Sequence, residues 1–123
     1  MISAVRISTL LAAAALLPVA SFAQEPAKTA NGMFTNPSGM TLYTFDKDSG
    51  DKSACNGACA NLWPPLKAEG DAKASGDWKV ITRDDGSKQW AYKGKPVYAY
   101  SKDSKAGDKT GDNVGGVWHI AKP

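Results

Sequence analysis

The sequence contains one segment twice, and this duplication constrains the fold more than any other feature. Residues 39–66, GMTLYTFDKDSGDKSACNGACANLWPPL, align without a gap on residues 94–121, GKPVYAYSKDSKAGDKTGDNVGGVWHIA, at an offset of 55 positions. The aligned identities are Gly39 with Gly94, Tyr43 with Tyr98, Lys47 with Lys102, Asp48 with Asp103, Ser49 with Ser104 and Trp63 with Trp118. A self-match at a fixed offset indicates that one supersecondary unit has been duplicated. The chain is therefore predicted to be built from two related halves.

Each copy carries the motif Tyr-x-aromatic-x-x-Asp. The motif residues are Tyr43, Phe45 and Asp48 in the first copy and Tyr98, Tyr100 and Asp103 in the second. Together with Cys-x-Gly-x-Cys-Ala at 55–60 and Trp-Pro-Pro at 63–65, this pattern resembles the bacterial family called "secreted repeat of unknown function". That family is also described as predicted lipoproteins with a Y-x-(F/W/Y)-x-x-D motif. The resemblance covers residues 31–121 and implies an envelope location and a duplicated unit, but it brings no reaction, ligand or catalytic residue.

The first 23 residues have the features of a secretory signal peptide. Arg6 precedes an apolar run at 7–20, and Ser21-Phe22-Ala23 supplies a small-x-small cleavage site before Gln24. The apolar run is shorter than the ~20 residues that span a bilayer. Acylation as a lipoprotein requires a cysteine where this chain has Gln24. We therefore expect a soluble mature protein, periplasmic or secreted, with no membrane anchor after cleavage.

The mature chain, 24–123, has the length of one domain. Loss of Arg6 lowers its net charge from +3 to +2, and its lysines are interspersed with twelve acidic residues. A nearly neutral surface with mixed signs lacks the basic patch that nucleic acid requires. The predicted partner is instead a protein, a wall component or a small ligand.

Alternating short segments separated by turns predict a mostly β fold. Six strands are expected, at 32–35, 40–45, 78–83, 89–92, 96–100 and 117–120, with tight turns at 84–86 and 93–95. One short helix is expected at 57–63, ended by Pro64. The predicted organisation is a flexible tail at 24–30, a first unit at 31–66, a linker at 67–77 and a second unit at 78–121. Trp63 and Trp118 are expected in the core, as are the rings of Tyr43 and Tyr98 with their phenols at its rim.

The two cysteines, Cys55 and Cys59, are predicted to form a disulfide because the protein is exported. Residues four apart in a regular helix lie too far apart for such a bond, so a distorted turn at Asn56-Gly57 is expected. The alternative is a copper or haem handling protein that uses Cys55, Cys59 and His119, since thiolates select Cu(I). Against it, Ala60 replaces the proline of periplasmic copper-delivery proteins. No cofactor is predicted under the leading interpretation.

No arrangement of residues predicts catalysis. His119 is the only histidine, and no nucleophile elbow or phosphate-binding loop is present. Asp48 and Asp103 are expected to accept backbone N–H groups in the turn after each motif strand. The leading hypothesis is a non-enzymatic binding or structural module. An enzyme with an unfamiliar site would require Asp48, Asp103 and His119 to share one cleft.

Overall fold

The computed structural model describes residues 26–123, which form seven short strands and one short α-helix. The predicted signal peptide, 1–23, lies outside the described residues. The elements are β1 (Lys28–Ala30), β2 (Met33–Thr35), β3 (Tyr43–Phe45), α1 (Ala58–Leu62), β4 (Trp78–Thr82), β5 (Lys88–Tyr92), β6 (Lys95–Pro96) and β7 (Trp118–Ile120), with a 3-10 turn at Val114–Gly116. The prediction of a small, mostly β domain with one short helix is confirmed. Neither helix found in 26–123 has the length and apolar character needed to cross a membrane.

Two-residue turns close two of the hairpins. β1 and β2 are joined by Asn31 and Gly32, with φ of 54° and 77°, and β5 and β6 by Lys93 and Gly94, with φ of 50° and 82°. Positive φ at both central residues gives the turn a twist that matches the flanking strands. Glycine occupies the second of these positions in both turns, because it adopts positive φ without steric cost. The β4–β5 hairpin turns at 84–86, as its Asp-Asp-Gly sequence predicts.

The structure corrects the predicted flexible tail in its described part, residues 26–30. Lys28–Ala30 forms β1, paired along its length with β2, and Ala27 is 5% exposed within the core. All three side chains of β1 are exposed. The strand therefore has no apolar alternation for a sequence pattern to detect, and backbone pairing holds it in place.

The two halves exchange their C-terminal segments. β3 of the first half pairs with β7 of the second, with Phe45 opposite Trp118. In the reciprocal pairing, the Ala99 N–H of the second half donates to the Pro64 carbonyl of the first at 2.8 Å. Each half therefore supplies the segment that covers the motif segment of the other.

An approximate two-fold axis passes between the two motif segments, residues 42–45 and 97–100. Tyr43 and Tyr98 each donate a backbone N–H to the other's carbonyl, at 2.7 and 2.9 Å. Beside them, on each side of the axis, three backbone bonds close a ring of two residues from one half and one from the other. The rings are Phe34 to Ala121 to Leu42 to Phe34, and Trp90 to Leu66 to Val97 to Trp90. The duplicated sequence thus becomes a pseudo-symmetric but intertwined body.

Side chains from opposite faces of the motif segments enter two different cores. Leu42 and Val97 enter the first core, whereas Tyr43 and Tyr98, the next residues, enter the second. Burial on both faces removes the polar alternation of a half-exposed strand. The first core also contains Ala27, Phe34, Trp78 and Ala121, and the second contains Cys55, Trp63, Tyr100 and Trp118.

The predicted disulfide between Cys55 and Cys59 is present. Cys55 precedes α1 and Cys59 lies in its first turn, with their Cα atoms 5.2 Å apart. Gly57 between them has φ of 60° and ψ of −125°, a conformation that side chains disfavour. The distorted turn expected at Asn56-Gly57 is therefore observed at the glycine.

Candidate functional site

The tyrosine and aspartate of the repeat motif pair across the two halves. The Tyr43 hydroxyl donates to Asp103 Oδ2 at 2.7 Å, and the Tyr98 hydroxyl donates to Asp48 Oδ2 at 2.6 Å. The other oxygen of each carboxylate accepts a backbone N–H, from Thr110 for Asp103 and from Ala54 for Asp48. The expected turn bonds of both aspartates are thus present. The motif joins one half to the other rather than closing a site within each half.

Burial of these pairs alters their acid–base properties. Tyr43 and Tyr98 are both fully buried, so their phenols do not lie at the rim of the core as predicted. Desolvation raises the pKa of each phenol well above its usual range, and the bonded carboxylate, Asp103 or Asp48, raises it further. Burial also raises the pKa of Asp48, although its bonds to Ala54 and Tyr98 oppose this shift.

Four aromatic rings form a continuous stack through the second core. Phe45 stacks on Trp118 with centroids 4.1 Å apart, Trp118 on Trp63 at 3.7 Å, and Trp63 on Tyr100 at 4.0 Å. The two motif tyrosines meet the tryptophans edge-on from either side, at 5.5 and 5.2 Å. Positions identical in the two halves are therefore used for packing, as the sequence predicts for Trp63 and Trp118.

A buried arginine connects the disulfide loop to the second half. Arg83 is 5% exposed and donates to Ser53 Oγ at 3.0 Å, to Gln89 Oε1 at 2.7 Å and to the Cys55 carbonyl at 2.6 Å. Ser53 in turn contacts the Tyr98 hydroxyl at 2.6 Å. Sequence reasoning did not identify this network. The sequence offers one indication of it, because Arg83 is the single arginine among the basic residues of 24–123. Arginine suits a buried site with several hydrogen-bond acceptors.

The accessible polar groups lie on a different part of the surface. His119 Nε2 and Asp46 Oδ2 are 2.7 Å apart, with side chains 43% and 54% exposed. Because an ionised carboxylate only accepts, the imidazole N–H donates to it. His119 lies opposite Thr44 in the β3–β7 pair, so strand register places both on one face.

Two open cavities meet at this pair. The larger, of about 450 Å³, lies between residues 44–51 and 93–96. The smaller, of about 290 Å³, is lined by residues of β3, β5, β6 and β7, among them His119, Lys95 and Tyr92. Thr44, Asp46 and Lys95 line both cavities. We call the two together the Asp46–His119 cleft.

The cleft breaks the pseudo-symmetry of the fold. At the offset of 55 positions, Asp46 corresponds to Ser101, His119 to Pro64 and Lys95 to Met40. The opposite side of the molecule therefore has no equivalent hydrogen-bonded pair. The stack and the Tyr–Asp pairs use aligned positions of both halves, whereas Asp46, His119 and Lys95 of the cleft have no chemical equivalent in the other half.

The structure does not assemble the alternative sites considered from sequence. Cys55 and Cys59 are bonded to each other and His119 to Asp46, and residues 26–123 contain no group of three or more His, Cys, Asp or Glu side chains suited to a metal ion. Asp48 lines the larger cavity and His119 the smaller, while Asp103 lies in neither.

Comparison with known proteins identifies the family. A family model described as a secreted repeat of unknown function matches the chain twice, at residues 26–67 and 79–122. The two matches correspond to the two intertwined halves and include both copies of the Tyr–Asp motif. No curated protein and no solved structure matches the chain significantly. The chain belongs to the family of secreted repeats of unknown function.

Proposed function

We propose that this protein is an exported, non-enzymatic binding module of the bacterial envelope whose ligand occupies the Asp46–His119 cleft. The supporting observation is the asymmetry of the cleft. In a duplicated fold, positions needed by both cores are constrained in both halves, whereas a position used for binding on one side is free to differ on the other. Asp46 and His119 differ from their counterparts and remain exposed.

The burial of the motif residues Tyr43, Tyr98 and Asp103 supports a binding role over a catalytic one. The two phenols and Asp103 are at most 6% exposed, and their polar atoms are hydrogen-bonded within the protein. A general acid or base must reach the proton it transfers. The exposed pair of Asp46 and His119 can orient a ligand by hydrogen bonding, and its two flanking cavities can enclose part of it.

The test is an NMR titration of isotopically labelled mature protein, 24–123, with a panel of defined envelope compounds. The panel contains muropeptides, free amino sugars, short peptides, and small carboxylates and amines. We expect a binding compound to shift the amide signals of residues 44–46, 94–95 and 119–122, and Asp46→Ala to weaken its binding. Ser101→Ala is the matched control, because Ser101 occupies the pseudo-symmetric position, and it should leave binding unchanged. Shifts that map elsewhere, or chemical conversion of a compound, would contradict the proposal.

A further inference from the structure

The smaller cavity of the cleft carries an excess of positive charge. Lys95 and Lys122 line it together with His119, and the single carboxylate is Asp46, which is already bonded to His119. Within residues 26–123, neither lysine ammonium has a carboxylate within ion-pair distance. The lysine–aspartate ion pairs among these residues are formed by Lys52, Lys79 and Lys105. The ammonium groups of Lys95 and Lys122 are therefore available to bind an anion.

The remaining wall of this cavity is apolar. Tyr92, half-buried, contributes to it from β5, and Ile120 and Ala121 contribute from the end of the chain. At about 290 Å³ the cavity lies at the lower limit of small-molecule sites, which span roughly 300–1,000 Å³. Its size restricts the ligand to a compact group, and its walls favour an apolar body beside the charge.

Building on the function proposed above, we propose that this cavity binds a compact monocarboxylate with an apolar body. Lys95 and Lys122 hold the carboxylate, while Tyr92 and Ile120 contact the body of the ligand. A free aromatic acid and the C-terminal residue of a peptide share this chemistry. A dianion such as a phosphate monoester fits less well, because Asp46 repels the second charge.

The proposal is tested with N-acetylphenylalanine and its amide, N-acetylphenylalaninamide, which differ only in the charged group. Binding to mature 24–123 is followed by NMR at low ionic strength. We expect the acid to shift the backbone N–H signals of residues 119–122. The amide should bind at least about fivefold more weakly, because one exposed ion pair contributes up to about fivefold in affinity and the cavity offers two lysines. Added salt should weaken binding of the acid. Equal affinity for acid and amide would overturn the proposal.

Variants separate the role of the cavity from general attraction to a basic protein. Lys95→Gln and Lys122→Gln should each weaken binding of the acid by about threefold to fivefold. Lys109→Gln, an exposed lysine that lines neither cavity of the cleft, should not change it. Equal weakening by all three variants would also overturn the proposal, since it would indicate non-specific binding.

The outcomes distinguish this inference from the proposed function. Binding of benzoate as well as N-acetylphenylalanine identifies any compact carboxylate as the ligand class, whereas binding of N-acetylphenylalanine alone identifies a peptide terminus. If neither carboxylate binds but another compound shifts the cleft amides, the ligand class is wrong and the cleft remains the binding site. If carboxylate shifts map outside the cleft, both proposals fail.

Discussion

Replacing Tyr43 with phenylalanine tests whether the motif joins the two halves energetically. The Tyr43 hydroxyl donates to Asp103 at 2.7 Å and accepts the Gly111 N–H at 3.1 Å, with both motif side chains buried. The change removes a hydrogen bond to a charged group, worth about 1.5–3 kcal/mol, and leaves a buried N–H without its partner, at about 1–3 kcal/mol. Because the two losses overlap, we expect the free energy of unfolding to fall by about 3 kcal/mol. Asp103 keeps its bonds to Thr110, which limits the effect.

Urea unfolding of oxidised 24–123, followed by tryptophan fluorescence, measures this loss. With a slope near 1 kcal/mol per molar for a domain of this size, the midpoint should move by roughly 3 M. Tyr92→Phe is the matched control, because the Tyr92 hydroxyl forms no hydrogen bond with residues 26–123, and it should change stability by less than about 0.5 kcal/mol. A double-mutant cycle with Asp103→Asn should give a coupling energy of at least about 1 kcal/mol.

Two results would refute the reasoning. If Tyr43→Phe were no more destabilising than Tyr92→Phe, the buried hydrogen bond would contribute nothing net to the fold. If the effects of Tyr43→Phe and Asp103→Asn were additive, the two residues would act independently, and the motif would not link the halves. Tyr98→Phe breaks the reciprocal bond to the half-buried Asp48. It should also destabilise the fold more than Tyr92→Phe does, with a smaller loss in free energy of unfolding of about 2 kcal/mol.

Three further predictions follow from the same contacts. Since their pKa values are raised in the folded state, the two motif tyrosines stabilise the fold below their ordinary pKa near 10. That stability should fall by about 1.4 kcal/mol per pH unit for each phenol above it, so urea titrations from pH 8 to 12 should give a shallower decline in either phenylalanine variant. Joint replacement of Cys55 and Cys59 by alanine should cost about 2 kcal/mol through the entropy of the five-residue loop, and a midpoint equal to that of the oxidised protein would contradict this. Gly111→Ala should cost about 1–3 kcal/mol in the same assay, because its Cβ would lie 2.9 Å from two rings of the aromatic stack. Gly70→Ala, which meets nothing within 4 Å, should have almost no effect, and equal losses in the two variants would argue against the observed packing.

Local sequence signals predicted the local structure. The Asp84-Asp85-Gly86 turn, the short helix before Pro64 and the disulfide each depend on residues close together in the chain. The β1–β2 hairpin carried an equally strong signal in Asn31-Gly32, a preferred two-residue turn. The polar composition of 24–30 instead predicts a tail that ends directly before this turn.

The exchange of strands was beyond reach of the sequence. Tyr43 and Asp48 occur in one half and Tyr98 and Asp103 in the other, so an identical motif is expected whether pairing occurs within halves or between them. Apolar periodicity identifies which face of a strand is buried but not which distant strand covers it. The cleft escaped prediction for a related reason, because Lys95 and His119 meet only once β6 and β7 have been placed beside β3.

The intertwined pairing bears on where a ligand can bind. Each half completes the core of the other, so substitution of a motif residue in either half disturbs both. Aligned core positions such as Leu42 and Val97 stay apolar where their identity changes, whereas exposed positions are free to differ in polarity and charge. Asp46 and His119 are of this kind, since they are exposed, bonded to each other at 2.7 Å and matched by Ser101 and Pro64. A ligand site built from these two residues would occur once in the chain, because neither residue is repeated at the offset of 55 positions. We accordingly expect one ligand per chain, where a site formed from the repeated motif would bind two.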